Sequence, residues 1–415
     1  MKIIISSIVT LNGGDYAILE AMMKVLKATY GNHTEFIVYD LHAEVASRYY
    51  PGIQFRSFLY DRYKKQHRYL KALAVRRMLL AARLFKSGNA KLARLLLTSD
   101  ERIDFDHYTS SDLIIATGGT YLVENYSMRA RIFDYNFTIA LGKPLIFFTQ
   151  SLGPFNKPEN QKDMRRIFNE AQLILLRDQA SHQNLRNIGV DISRAKICSD
   201  VVFADTSLQT LEEAKHRPMN EKLKVGISVR DWNHFRTRTK DEGTRLYYQS
   251  VAAICEYITL ELGGEVIFVS TCQAIKEYHT DDSKTAEQIC QLLSRESRTR
   301  TYVNNSFMMP AELKKVIGGL DLMISTRMHG AIQALSMGVP VLPIAYEFKT
   351  IELFRKLINE SFILDIETIN PTVAVNVTQR FLNALPELRG HLFERVKQEY
   401  QSSLKPIDYL KDVYV

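Results

Sequence analysis

A guanidinium and an imidazole stand two positions apart at Arg327 and His329, between an apolar run and a helical pattern. Residues 322–324 predict a buried strand, and the small and apolar residues from Gly330 onward predict a helix. A cation at a helix N-terminus is unfavourable, because the helix dipole already places positive charge there. We therefore predict that an anion binds between the two side chains. The alternative is an ordinary turn whose histidine bonds a backbone carbonyl.

The first forty residues contain the elements of a nucleotide-binding type of fold. Residues 1–9 predict a strand, residues 16–30 a helix and residues 36–40 a second strand. The turn between the first strand and the helix contains Asn12, Gly14 and Asp15, but the chain lacks the G-x-G-x-x-G pattern there. We therefore predict a Rossmann-like opening without NAD.

Polar and glycine residues follow most of the later strands as well. The predicted strands at residues 111–117, 144–148, 173–176 and 196–200 end in or run into Gly118, Gly119, Gln150, Ser151, Arg177, Asp178 and Asp200. The strand at residues 225–229 runs into Arg230. Parallel α/β sheets bind ligands at the carboxyl ends of their strands, so these residues are candidate site residues.

The order of the predicted elements indicates an α/β protein with two Rossmann-like domains that face a cleft. We predict an N-terminal domain at residues 1–205, a polar linker at 206–224 and a second domain at 225–372. Residues 373–415 predict a helical tail.

The composition of the chain limits the classes of protein to which it can belong. The 415 residues are 46% hydrophobic, enough for sizeable cores, and no apolar run is long enough to span a membrane. The four cysteines, Cys198, Cys255, Cys272 and Cys290, have no metal-binding spacing and predict reduced thiols of a cytoplasmic protein. No metal site is expected. The formal net charge is +8, which is compatible with phosphorylated substrates, anionic lipid or nucleic acid.

Part of this charge is concentrated at residues 62–98, which contain eleven lysines and arginines and no acidic residue. Leucines alternate with the cations, and Gly88 and Asn89 interrupt the pattern, which predicts one longer and one shorter amphipathic helix. We expect either a solvated helical insertion or contact with an anionic membrane at the inner face of the cell membrane. Nucleic acid is not expected, because no known binding module is present.

Taken together, these residues resemble the polysaccharide pyruvyl transferase family over most of the chain. The motifs in chain order are residues 12–18 (NGGDYAI), Gly118 with Gly119, residues 150–154 (QSLGP), Arg177 with Asp178 and Ser181, Ser199 with Asp200, residues 226–230 (GISVR), 327–330 (RMHG), 338–340 (GVP) and 346–349 (YEFK). Thr120 stands where the family often has a third glycine.

The resemblance implies a GT-B type of two-domain fold and a specific reaction. A pyruvyl group would move from phosphoenolpyruvate to two hydroxyls of a sugar, forming a cyclic ketal in the synthesis of a capsular, exopolysaccharide or cell-wall glycan. The acceptor would be a glycan or a lipid-linked saccharide, and no cofactor would be needed. By motif, Arg230, Arg327 and His329 would form the phosphoenolpyruvate site, with Met328 and Gly330 as further candidate substrate contacts. The second domain would then bind the donor and the N-terminal domain the acceptor. The sequence gives no prediction of oligomeric state.

The chemistry of phosphoenolpyruvate suits these residue types. Its carboxylate and phosphate each fit a guanidinium, and His329 could protonate the methylene carbon, because an imidazole exchanges protons near neutral pH. Asp15 would accept a hydroxyl proton from the sugar, or would instead cap a helix. Lys349 would neutralise phosphate or only cover the site, and Glu124 is a weaker candidate for a sugar contact. Arg177 could equally be the structural partner of a carboxylate.

Two other functions fit the same sequence. A nucleotide-sugar glycosyltransferase would share the fold and would release a nucleoside diphosphate. A non-catalytic subunit of polysaccharide assembly would share the fold but would not turn over phosphoenolpyruvate, and the Arg-x-His-Gly turn argues against it.

Overall fold

The structure is a computed structural model that describes residues 1–272 and 275–413. The chain divides into two compact units. The first unit contains residues 1–11, 18–201 and 402–415, and the second contains residues 12–17 and 202–401. The turn at residues 12–17 therefore belongs to the second unit, although the elements that flank it in sequence belong to the first.

The first unit is built from strands alternating with helices. In chain order these are β1 (Lys2–Ile8), α1 (Gly13–Tyr30), β2 (Glu35–Asp40), α2 (Ala43–Tyr49), β3 (Gln54–Ser57), α3 (Arg68–Lys86), α4 (Ala90–Leu95), α5 (Ser99–Ser110), β4 (Leu113–Ala116), β5 (Gly119–Leu122), α6 (Arg129–Leu141), β6 (Leu145–Leu152), α7 (Pro158–Glu170), β7 (Leu173–Leu176), α8 (Gln179–Asn187) and β8 (Ala195–Ile197). The first residues of α1 lie in the turn that belongs to the second unit.

The strands of this unit form one parallel sheet in the order β3-β2-β1-β4-β6-β7-β8, with β5 paired to β6. The central strands are apolar and fully buried, as is typical of a parallel sheet covered by helices on both faces. Gly119 and Thr120 lie in β5, where the sequence predicted only a loop after a strand.

The basic segment forms two helices, α3 and α4, separated by Ser87–Asn89, as predicted. Helix α3 packs on α6, and its buried residues include Ala74, Met78 and Ala81. Its Arg77 forms an ion pair with the buried carboxylate of Glu101, which also accepts a 2.7 Å hydrogen bond from the hydroxyl of Tyr63. These contacts attach the insertion to the first unit.

The second unit repeats the architecture. Its elements are α9 (Leu208–His216), β9 (Lys224–Ser228), α10 (Lys240–Glu256), β10 (Glu265–Phe268), α11 (Asp282–Cys290), α12 (Arg295–Arg298), β11 (Thr301–Val303), α13 (Pro310–Gly318), β12 (Leu322–Ser325), α14 (Met328–Ser336), β13 (Val341–Ala345), α15 (Phe348–Leu357), β14 (Leu364–Asp365) and α16 (Pro371–Leu404). Its parallel sheet has the order β11-β10-β9-β12-β13-β14. Read along the sheet, this is the Rossmann order 3-2-1-4-5-6.

The prediction of an α/β fold with two Rossmann-like domains and a basic helical insertion is therefore confirmed. The segment 206–224, predicted to be a linker, contains helix α9 and belongs to the second unit. At the C-terminus, α16 extends to Leu404, α17 (Pro406–Lys411) follows, and residues from 402 onward belong to the first unit. No helix among the described residues is long and apolar enough to cross a membrane.

Candidate active site

The strand order of the second unit changes direction between β9 and β12, which is where open α/β sheets bind ligands. The two strands pair in register, with Ser325 opposite Ser228. Arg230 and Arg327 each follow two residues after this pair, at the carboxyl ends of neighbouring strands. The predicted donor-site arginines therefore both emerge at this position of the sheet.

Arg327 is held in place by a buried carboxylate that the sequence analysis did not identify. Its Nε donates to both oxygens of Asp282, and its Nη2 donates to one of them. The Arg327 side chain is 11% exposed and that of Asp282 1% exposed. Burial lowers the pKa of Arg327, but the neighbouring Asp282 carboxylate outweighs this effect and holds that pKa well above its usual value. Among the described residues no acceptor bonds Nη1, so this nitrogen can bind a ligand.

Arg230 is surrounded by aromatic rings. Its guanidinium carbon lies 4.4 Å from the ring centre of Tyr346 and 5.1 Å from that of Trp232, and its backbone N–H donates to the Tyr247 hydroxyl at 3.4 Å. No carboxylate in the described ranges forms an ion pair with it. Its Nε donates to the carbonyl of Asp231 at 3.3 Å. An arginine held by π contacts keeps its charge and its other donor groups available for an anion.

His329 is the second residue of α14 and packs against the first turn of α1. A methyl group in place of a Gly14 hydrogen would lie 2.7 Å from Nδ1 of His329, so only glycine allows this close approach. The backbone N–H of Gly13 donates to the carbonyl of Thr271 at 3.0 Å. The Asn12 side chain accepts from the N–H of Gly14 at 3.0 Å and caps the helix. The alternative role of Asp15 as the cap is therefore wrong, and Asp15 lies inside the first turn.

The buried residue Cys272 lies beside the carboxylate of Asp282. Burial raises the pKa of the Cys272 thiol to about 12, and the charges of Arg327, Asp282, Asp15 and Arg230 all act on it. Its backbone N–H donates to Asp282 at 3.1 Å. Asp282 therefore connects the segment after β10 with Arg327, which follows β12. Cys272 and Thr271 follow β10 closely, and this position after a strand was the one sequence signal that could have identified them.

A polar cavity of about 750 Å³ opens beside Arg230, between the N-terminal ends of α10 and α11. Its lining includes Trp232 and Tyr248, the cations Lys240, Arg245 and Lys284, and the carboxylate of Asp282 that holds Arg327. This volume is within the range of small-molecule sites.

The remaining candidate residues of the second unit are Met328, Gly330 and Lys349. Met328 and Gly330 are buried in the first turn of α14. Lys349 forms a 2.6 Å ion pair with Glu347 at the start of α15, so its charge is already balanced there. Among the described residues no group of three or more His, Cys, Asp and Glu side chains is arranged to hold a metal ion.

The candidates of the first unit form a buried polar network. Arg177 donates from Nε to Ser151 at 2.7 Å, from Nη2 to Thr120 at 2.6 Å and from Nη1 to Asp200. Ser151 in turn donates to Asp178 at 2.6 Å. The Arg177 and Asp200 side chains are only about one-twentieth exposed, at 5% and 4%. Their mutual bonding supports the structural alternative for Arg177.

The remaining candidates of the first unit, Gln150, Gly118 and Gly119, lie in or next to strands β4, β5 and β6. Gln150 is buried and donates from its amide to the carbonyl of Thr117. Gly118 lies so close to β6 that a Cβ there would be 2.8 Å from Oγ1 of Thr149, and Gly119 adopts a φ of 115°. As substrate contacts, all of these residues stay a prediction. Glu124 accepts from the backbone N–H of Lys157 and the amide of Asn160.

Comparison with known proteins identifies the family. A sequence model described as "Polysaccharide pyruvyl transferase" matches residues 12–347. The chain belongs to this family. It is also similar to the amylovoran biosynthesis protein AmsJ of Erwinia amylovora, with 23% identity over 304 residues that cover 71% of each chain. Membership makes the protein a transferase that adds pyruvate to polysaccharide, and the relative from Erwinia is named for its part in amylovoran biosynthesis.

Solved structures of low sequence identity share the fold. Anabaena Alr3699/HepE in complex with UDP-glucose is 15% identical with a TM-score of 0.54, covering 99% of this chain and 98% of that chain. The S. aureus MnaA–UDP structure is 10% identical with a TM-score of 0.59, covering 99% and 96%. UDP-GlcNAc 2-epimerase from Methanocaldococcus jannaschii is 10% identical with a TM-score of 0.58, covering 99% of both. These similarities show a GT-B type of fold.

Proposed function

We propose that the protein transfers a pyruvyl group from phosphoenolpyruvate to two hydroxyls of a sugar in a polysaccharide precursor, forming a ketal and releasing phosphate. The observation that carries the proposal is the pair of arginines at the switch between β9 and β12, with His329 two residues beyond one of them. Acceptor-dependent release of inorganic phosphate from phosphoenolpyruvate, assayed with galactosyl, mannosyl and glucosyl acceptors, tests it.

Phosphoenolpyruvate requires two anion-binding groups close together. Arg230 offers a guanidinium without an ion-pair partner among the described residues, and Arg327 offers Nη1 after its other edge has bonded Asp282. The carboxylate of Asp282 fixes the plane of the Arg327 guanidinium, so little side-chain entropy is lost when the donor binds. We assign the carboxylate and the phosphate of the donor to these two arginines.

The reaction then needs a proton at the methylene carbon of the donor. In this proposal His329 gives that proton, which leaves an oxocarbenium-like centre at the neighbouring carbon. One sugar hydroxyl adds there and loses its proton. Phosphate leaves, taking the electron pair of its C–O bond, and the second hydroxyl closes the ring with loss of its proton. Asp15, in the first turn of α1 near Cys272, is the proposed acceptor of a hydroxyl proton.

We propose an exopolysaccharide precursor as the acceptor class, on the basis of the amylovoran relative. A glycan or a lipid-linked saccharide satisfies the chemistry equally, because either presents two neighbouring hydroxyls. No cofactor is needed, since phosphoenolpyruvate carries the leaving group itself. The four cysteines are all free, which supports a reducing compartment, and we propose the cytoplasm.

A nucleotide-sugar glycosyltransferase is the second candidate, because similar folds were solved with UDP and with UDP-glucose. It would bind a nucleoside diphosphate and release it on turnover. Release of UDP from a UDP-sugar in the presence of the same acceptors, without use of phosphoenolpyruvate, would support this candidate and exclude the first.

We expect Arg230→Lys to weaken donor binding while acceptor binding stays close to wild type. Lysine keeps the charge but loses both the planar donor fork and the stacking on Tyr346. Loss of one charge-assisted contact predicts that the KM for phosphoenolpyruvate rises by about tenfold or more. Titration calorimetry with phosphoenolpyruvate provides the direct measurement. Arg245→Lys, at another residue of the cavity lining, is the matched control. Equal affinities for wild type and Arg230→Lys would remove Arg230 from the donor site.

We expect Gly14→Ala to lower kcat without unfolding the protein. The new methyl group would sit 2.7 Å from Nδ1 of His329, so the imidazole must move. A displacement of about 1 Å at a reacting group can lower a rate by roughly a hundredfold. Gly390→Ala, where a Cβ would meet nothing within 4 Å, is the control. Wild-type kcat in Gly14→Ala would show that the position of His329 does not matter for turnover.

A further inference from the structure

The basic insertion at residues 62–98 carries exposed cations that have no part in the proposed reaction. Of the eleven lysines and arginines at residues 62–98, four form ion pairs: Arg62, Lys64, Arg77 and Arg94. Lys71 lies over the ring of Tyr60 at 4.1 Å. The other six are exposed and form no ion pair within the described part of the chain; they are Lys65, Arg68, Arg76, Arg83, Lys86 and Lys91.

Large apolar side chains share this face. Residues 69, 73, 76, 80 and 83 follow helical spacing and line one side of α3, opposite the buried Ala74, Met78 and Ala81. Tyr69 is 77% exposed, Leu73 65% and Leu80 48%. On α4, Leu92 and Leu95 are 50% and 74% exposed. We call this set of exposed cations and apolar residues on α3 and α4 the basic apolar face.

We propose that the basic apolar face docks on an anionic membrane surface. Leucine and tyrosine side chains interleaved with unpaired cations are what an interfacial helix needs, because the apolar groups enter the headgroup region while the cations meet lipid phosphates. A second copy of this chain fits poorly, because two such faces would bring unpaired cations together without an acidic residue between 62 and 98 to balance them. The proposal is independent of which donor the enzyme uses.

The cations of the insertion are of two kinds: some form ion pairs within the first unit, and the others are exposed and can meet a membrane surface. Arg62 and Arg77 point into the first unit, where they meet the buried carboxylates of Asp104 and Glu101. These ion pairs attach the insertion to the first unit. Removing one partner of either pair would strongly lower the stability of the folded protein. The exposed cations have no such role in the fold, so replacing them leaves the fold intact and isolates their effect on lipid binding.

The test is sedimentation of the full chain with vesicles of phosphatidylglycerol and phosphatidylcholine. The charge variant replaces Arg68, Arg76, Arg83 and Lys91 with Gln. The apolar variant replaces Tyr69, Leu73 and Leu80 with Ser. The control variant replaces four exposed cations elsewhere in the first unit with Gln, namely Arg129, Lys162, Arg165 and Lys196. Circular dichroism and unchanged turnover of a soluble acceptor confirm that each variant is folded.

We expect wild type and the control variant to sediment with anionic vesicles, more weakly as salt is raised, and not with pure phosphatidylcholine. The charge variant should bind more weakly by about fivefold for each charge removed, and the apolar variant should also lose binding. Equal vesicle binding by the charge variant and the control variant would overturn the proposal. So would self-association that the apolar variant abolishes without any vesicle binding, since the occupant would then be a second copy, and so would retention on a DNA oligonucleotide in place of vesicles.

Discussion

His329→Gln should lose most turnover with phosphoenolpyruvate while it still binds the donor. A positioned general acid contributes about 10²–10⁴ in rate, and glutamine cannot deliver a proton. The Asp282–Arg327 ion pair and Arg230 are unchanged in this variant, so the anion-binding groups remain. The measurement is kcat for phosphate release at saturating donor, together with the donor Kd from calorimetry.

The matched control is His216→Gln, because His216 is an exposed residue at the end of α9 and forms no hydrogen bond or ion pair with a proposed site residue in the described part of the chain. It should have wild-type kinetics. If His329→Gln kept its full kcat and lost only donor affinity, His329 would be a binding residue, and another group would have to supply the proton.

Asp282→Ala should destabilise the second unit strongly. The substitution leaves the guanidinium of Arg327 buried without its partner, and breaking a buried ion pair on one side costs about 3–5 kcal/mol. It also removes the acceptor for the backbone N–H of Cys272. We expect a lower urea midpoint for unfolding and, in the protein that remains folded, weaker binding of phosphoenolpyruvate because Arg327 is no longer oriented.

A double substitution separates the two effects. Asp282→Leu combined with Arg327→Met removes both charges, and stability should recover most of what Asp282→Ala loses, whereas donor binding should not. If Asp282→Ala were as stable as wild type, the ion pair would not be a structural element. If the double variant still bound the donor, Arg327 would not belong to the site.

The fold and the residues at the strand ends could be predicted because both depend on short stretches of sequence. Short apolar runs predicted the buried strands, and Arg327 with His329 could be placed at a strand-to-helix turn from one stretch of sequence. Arg230 follows β9 for the same reason. These positions depend on neighbouring residues, and hydrophobic periodicity reports such positions well.

The partners of these residues could not be predicted, because they come from distant segments. Asp282 is separated from Arg327 by 45 positions, and Arg177 from Asp200 by 23. Only tertiary packing decides that Asp282 holds Arg327, and that Arg177 donates to Ser151, Thr120 and Asp200. A sequence pattern likewise could not show that residues 12–17 join the second unit, or which cations of the insertion are paired.

Pyruvyl transfer from phosphoenolpyruvate is tested most sharply by analysis of the product that forms in heavy water with a saccharide acceptor. We expect one phosphate released for each pyruvate ketal formed, and one solvent deuterium in the ketal methyl group, because the methylene carbon gains a proton during transfer. His329→Ala should slow the incorporation without moving the label. A product that carries no pyruvate ketal, or a ketal methyl group without solvent deuterium, would contradict the proposed reaction.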